Sequence, residues 1–81
     1  MIISKQGDPV LLPQGSLLLK NLDSDSWSRA RSLEYPERAI LLETHPRESH
    51  MRKVYLSGGF WWIDESEIQD LVGARNAYQA Y

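Results

Sequence analysis

The chain has no cysteine in its 81 residues. That excludes a disulfide scaffold, a thiol nucleophile and a cysteine zinc site. No apolar run approaches the roughly 18 residues that a membrane-spanning helix needs, so no membrane role is expected. No sign of charge dominates either. Nine Lys and Arg stand against 11 Asp and Glu, for a net charge of -2, so there is no global basic field to draw nucleic acid. The segment Met1–Lys5 lacks a basic start followed by an apolar stretch, so no secretory signal is expected and a cytoplasmic setting is the default.

What is present is ordinary for a globular protein. Hydrophobic residues make up 42% of the chain and charged residues 25%, too apolar for a disordered, charge-rich chain. The length fits one small domain with a modest core. Such a core suits a barrel or sandwich better than a core with a deep substrate cleft. A binding or structural module is therefore expected before an enzyme.

Along the chain, Gly7, Pro9, Pro13 and Gly15 break up the apolar pieces Ile2-Ile3 and Val10-Leu11-Leu12, so residues 1–14 read as an N-terminal arm. The run Ser16–Leu22 is short and bounded like a buried strand. Residues 23–26 read as a polar turn. Trp27, Ala30 and Leu33 are spaced for a short helix, yet the same stretch also fits an irregular strand, and Pro36 ends it. Arg38–Thr44 reads as a strand around Ala39-Ile40-Leu41-Leu42, and the segment from His45 to Ser49 as a loop containing Pro46.

The strongest local signal is Met51–Asp64. Two runs rich in aromatic and β-branched residues are joined through Ser57-Gly58-Gly59, which predicts a hairpin. A two-residue turn pairs residues whose numbers sum to an odd value. Val54, Leu56, Trp61 and Ile63 then share one face, and Lys53, Tyr55, Phe60 and Trp62 the other. Beyond the hairpin, Asp64 and Glu67 fit the first and last positions of a capping box, ahead of Ile68, Leu71 and Val72 at helical spacing. A short helix or single turn is expected there, with Gly73 closing it. In the tail, residues 74–81, Ala74, Ala77, Tyr78 and Tyr81 recur at helical intervals.

This order of elements resembles the Src-homology-3-like barrels. It looks more like the short barrel proteins of tailed bacteriophages. Gly15-Ser16-Leu17-Leu18 matches their opening strand, and Gly59-Phe60-Trp61-Trp62-Ile63-Asp64-Glu65-Ser66-Glu67-Ile68 their Trp-rich closing strand and acidic turn. The likeness spans about residues 15–72, while residues 23–37 are longer than the first loop usual in that family. The resemblance implies a small barrel over residues 15–73, a viral setting and a binding or assembly role, with no chemistry attached. Such a protein would reside in a virion or in host cytoplasm.

Candidate chemistry is sparse. Glu43, His45, Glu48 and His50 lie close in sequence, but the two His are five apart with Pro46 between them, which suits a polar connection better than a metal site. Asp64, Glu65, Glu67 and Asp70 contain no base and suit helix capping better than acid–base work. Lys53 and Asp64 are candidates for a cross-hairpin ion pair. Arg29, Arg31, Arg38, Arg47, Arg52 and Lys53, with Trp27 and Tyr35, could form a stripe for nucleic acid, diluted by Glu34, Glu37, Glu43 and Glu48, and Arg29, Arg31, Arg52 and Lys53 would then lie on one face. No catalytic residue, metal or cofactor is expected. Tyr55, Phe60 and Trp62 cannot share the inner side with Trp61, so either the protein's own arm or tail covers them or they face a partner.

The expected fold is mostly β: a small Src-homology-3-like barrel with one short C-terminal helix or turn. Its core candidates are Leu18, Ile40, Leu42, Val54, Leu56, Trp61, Ile63, Ile68 and Leu71. The expected function is a non-enzymatic protein–protein contact in a minor structural component of a virion. Tyr55, Phe60 and Trp62 would anchor the contact, Tyr78 and Tyr81 the tail, and other subunits, including further copies of the chain, would be the partners. The alternative is a small intracellular regulator that binds nucleic acid or a host protein.

Overall fold

A computed structural model describes residues 2–20 and 30–71. Among them the chain is mostly β. Its strands are β1 (Pro9–Leu12), β2 (Leu17–Leu19), β3 (Ala30–Ser32), β4 (Glu37–Thr44), β5 (Met51–Leu56), β6 (Gly59–Asp64) and β7 (Gln69–Asp70). A single 3-10 turn, Glu65–Glu67, separates β6 from β7. Every pairing is antiparallel, and the strands lie in one sheet in the order β3-β2-β6-β5-β4-β1-β7.

The sheet curls without closing. In a flat sheet, β1 and β2 would lie four strand spacings apart, about 19 Å. Yet a tight turn over Pro13–Ser16 joins them, with the Ser16 N–H donating to the Pro13 carbonyl at 3.1 Å, and such a turn holds its ends within about 7 Å. The two sides of the sheet must therefore bend toward each other. Glu67 helps hold that bend, its carboxylate accepting the Leu17 N–H at 3.1 Å. The outermost strands, β3 and β7, form no ladder with each other, so the expected barrel is an open one.

Inside the curl lies one core: Val10, Leu12, Leu18, Leu33, Ala39, Leu41, Val54, Leu56, Ile63 and Ile68, with Ile2 and Trp61 packed against it. The expected core residues Leu18, Val54, Leu56, Ile63 and Ile68 are buried, whereas Trp61 and Leu71 are half-buried. Ile40 and Leu42 are corrections. Ala39 and Leu41 take the inner positions and Ile40 is exposed. The run Ala39-Ile40-Leu41-Leu42 is apolar on both faces, so alternation within it cannot select a side. The ladder selects it: Leu41 stands opposite Val54, and Ala39 opposite Val10, both already committed to the core.

The N-terminal arm is a second correction. Pro9 and Pro13 bracket a strand rather than break one, because Pro at the first position of a strand removes no interior ladder bond. Residues 9–12 lie between β4 and β7, with Val10 and Leu12 buried. Upstream, the Gly7 N–H donates to the Leu41 carbonyl at 2.7 Å, and the Leu41 N–H to the Asp8 carbonyl at 2.9 Å. Ala30–Ser32 takes the strand alternative. The segment after the hairpin is a turn, followed by extended chain at Ile68. Val72, Gly73 and the tail with Tyr78 and Tyr81 lie outside the described residues, as do Trp27 and Arg29.

Candidate functional site

The hairpin forms in the expected register. Val54 faces Trp61, Tyr55 faces Phe60, and Lys53 faces Trp62. Ser57 and Gly58 are the turn residues, with φ of 50° and 76°, the left-handed pair that a two-residue hairpin turn requires. Because that register sends Val54 inward, Tyr55, Phe60, Lys53 and Trp62 must point outward. Ile40 stands opposite Tyr55 on β4 and joins them. The result is an unbroken row of large apolar side chains across β4, β5 and β6. Ile40 is 38% exposed, Tyr55 40% and Phe60 53%. The Tyr55 and Phe60 rings pack in a tilted arrangement with centroids 5.1 Å apart.

One end of this face is covered by the chain's own side chains. The His45 ring meets the Trp62 ring edge-on at 4.7 Å. The Lys53 ammonium lies 5.4 Å from both the Phe60 and Trp62 ring centroids. Trp62, expected as an anchor for a partner, is thus half-buried under His45 and Lys53. His45 is itself fixed: its Nδ1 accepts the Arg47 and Glu48 N–H groups at 3.1 Å each. The His/Glu segment therefore organises a turn. Among the described residues no three His, Asp or Glu side chains converge as metal ligands.

The bulge in β4 sets the charges beside the face. The register changes between Leu41 and Thr44, so Leu42 and Glu43 both stand opposite Lys53. The Lys53 ammonium pairs with the Glu43 carboxylate at 3.5 Å rather than with Asp64. The bulge also leaves the Leu42 carbonyl for Arg52, whose Nε and Nη2 donate to it at 3.1 and 2.8 Å while Nη1 reaches Glu65 at 3.2 Å.

This arrangement separates the candidates for a nucleic-acid stripe. Arg52 and Lys53 are neighbours in a strand, so alternation alone sends them to opposite faces. Arg52 is a plug for the bulge, its side chain only 13% exposed. Arg31 lies on the outermost strand, 3.6 Å from Glu37 and 5.9 Å from the Trp61 ring centroid. Lys20 sits closer over that ring, at 4.4 Å. Arg29 lies outside the described residues. The described candidates do not form one surface, and Arg31, Arg52 and Lys53 each have a carboxylate partner.

The acidic residues after the hairpin have structural partners. Asp64 caps the turn: its carboxylate accepts the Ser66 N–H at 2.9 Å and the Ser66 hydroxyl at 2.8 Å. These bonds hold its pKa below the ordinary value. Glu67 bonds to β2 instead of completing a capping box. Asp70 ties down the N-terminal segment, accepting the Ile3 and Ser4 N–H groups at 2.9 and 2.8 Å and also the Ser4 hydroxyl. Burial opposes its ionisation, but the Ser4 hydroxyl and the two N–H groups outweigh burial and lower its pKa. A shallow dent beside the turn is lined by His50, Asp64, Glu65 and Ser66.

Two residues of the outer face were hidden in the sequence. Ile40 read as core, and only the register with Val54 reverses it. Glu43 read as a diluting acid, and only the bulge sets it beside Lys53. Among the described residues no helix is long and apolar enough to cross a membrane. Comparison with family models, curated proteins and solved structures finds no match for the chain.

Proposed function

We propose that the chain is a non-enzymatic protein–protein interaction module whose working surface is the outer face of β4, β5 and β6. One observation carries this reading: Ile40, Tyr55 and Phe60 are adjacent, exposed and centred on the middle strands of the sheet. An antiparallel sheet with one solvated face normally alternates apolar with polar residues. Here the middle of the solvated face is apolar, as interface cores are, and aromatic side chains dominate interface energetics. The described N-terminal segment is engaged elsewhere: Ile2 packs against the core, Ile3 and Ser4 are tied to Asp70, and β1 runs within the sheet.

The setting we propose is a virion, with the chain as a minor structural or assembly component. Its support is the resemblance of the Gly-led opening strand and the Trp-rich closing strand with its acidic turn to short phage barrels.

Affinity capture with the intact chain and a Tyr55→Ser/Phe60→Ser variant tests the surface. Proteins bound by the wild type should be lost by the variant and kept by Arg47→Ala, which alters an exposed loop. Equal capture by all three chains refutes the reading. Mass spectrometry of purified particles tests the setting: the chain should be found at fixed stoichiometry in virions.

A further inference from the structure

The outer side of β4 carries an ordered series of charges. Ala39 and Leu41 point inward, so Arg38 and Ile40 point outward. The bulge then brings Glu43 beside the outward-facing Lys53. Read along β4, the exposed side is a cation, an apolar centre and an anion, and five residues of strand separate the two charges by about 17 Å. Tyr55 and Phe60 flank the centre. Arg38 is exposed and makes no ion pair with any described residue. The Glu43 side chain is half exposed despite its contact with Lys53.

A two-fold contact sets one patch against itself with its ends exchanged. With two β4 strands antiparallel, cation meets anion at both ends and Ile40, Tyr55 and Phe60 meet their own kind between them. Stacking in the same direction would place Arg38 on arginine. Stacked sheets lie about 10 Å apart, a gap that an arginine and a glutamate span together. We propose that the outer face binds a second copy of this chain, with the β4 strands antiparallel and Arg38 of each copy paired with Glu43 of the partner subunit. This inference rests on the protein-interaction reading and names the partner for it.

Sedimentation equilibrium of the full chain over a wide concentration range tests it. The wild type should form a reversible dimer. Arg38→Glu puts two carboxylates at each end, and Glu43→Arg puts two guanidiniums there. Each should weaken dimerisation by at least about tenfold. An equimolar mixture of the two variants should recover the dimer as one copy of each, because every end then holds one cation and one anion. Phe60→Glu should weaken dimerisation by at least about a hundredfold, with an unchanged far-ultraviolet circular dichroism spectrum and a cooperative thermal transition confirming the fold.

A mixture as weak as either variant alone overturns the pairing. A wild type that stays monomeric throughout overturns the second copy as occupant. If that monomer still captures another protein in a manner that depends on Phe60, only the second copy is lost. A monomer whose contacts are indifferent to Phe60 overturns the interaction reading as well.

Discussion

The two faces of the central strands are built from similar residues and meet different fates. On the inner face, Leu41, Val54 and Ile63 are fully buried. On the outer face, Ile40, Tyr55 and Phe60 occupy neighbouring positions of the same strands and remain in contact with solvent. Hydrophobicity alone does not separate the two sets. The curl of the sheet does, because the turn from β1 to β2 draws the flanking strands over one face only. Burial is thus a property of the face, and an apolar face left outside the curl is surface available for another molecule.

The largest expected effect breaks the inner face. Leu41→Ala removes a fully buried side chain and should cost about 2–5 kcal/mol in denaturant unfolding. Ile40→Ala, one residue away, should cost less than about 1 kcal/mol, because part of that side chain is already in water. Equal losses at the two positions would mean that the outer face is packed in the isolated chain, and would undo the contrast.

Next comes the junction between the faces. Arg52→Ala leaves the Leu42 carbonyl of the bulge without its two guanidinium donors and Glu65 without its partner. The expected loss is about 1–3 kcal/mol. Arg52→Lys should recover little of it, because an ammonium cannot reproduce the planar fork that serves both acceptors. Full rescue by lysine would reduce Arg52 to a point charge.

A smaller effect follows acidification. Asp64 and Asp70 both have pKa values held below the ordinary aspartate value of 3.8. A depressed folded-state pKa means that the unfolded chain binds protons more readily. The stability these groups contribute is therefore complete above that value and is lost as pH falls below it toward the folded-state values. Unfolding free energy measured against pH should decline in that window, and Asp70→Asn should flatten part of the decline. An unchanged pH profile would separate Asp70 from the anchoring of Ile3 and Ser4.

The smallest effect sharpens the register on which both faces depend. Ser57 adopts a positive φ of 50°, which costs a non-glycine residue, so Ser57→Gly relieves the backbone while losing the hydroxyl bond to Glu37 at 3.1 Å. Ser57→Asn tolerates the same conformation and suits the first position of this turn. We expect Asn to raise the thermal midpoint by a few degrees, corresponding to about 0.5 kcal/mol, and to raise it more than Gly does.

The hairpin was legible because it is a local structure. Gly58 supplies the turn, the two flanking runs supply the strands, and parity fixes which residues share a face. Asp64 was legible as a cap for the same reason, since its partner Ser66 lies two residues away. The strands β2, β4, β5 and β6 could be read in order, whereas β1, β7 and the failure of the sheet to close could not. β1 was misread as an arm because four residues between prolines carry little pattern of their own, and only pairing with β4 and β7 makes them a strand. Arg52 and Lys53, neighbours in the candidate nucleic-acid stripe, part in space because adjacent strand residues point to opposite faces.

The sequence by itself determined that this chain forms a small β-rich domain with a Ser57-Gly58 hairpin whose two faces are both apolar. It also placed Tyr55 and Phe60 on the face opposite Val54. Tertiary structure alone decided that the sheet curls without closing, that Ile40 joins the exposed face, and that Glu43 stands beside Lys53. The physical reason is range. Turn preference and side-chain alternation act over two to four residues and are written in the order of the chain. Sheet curl, the β4 bulge and the register between β4 and β5 are set by contacts between segments distant in sequence.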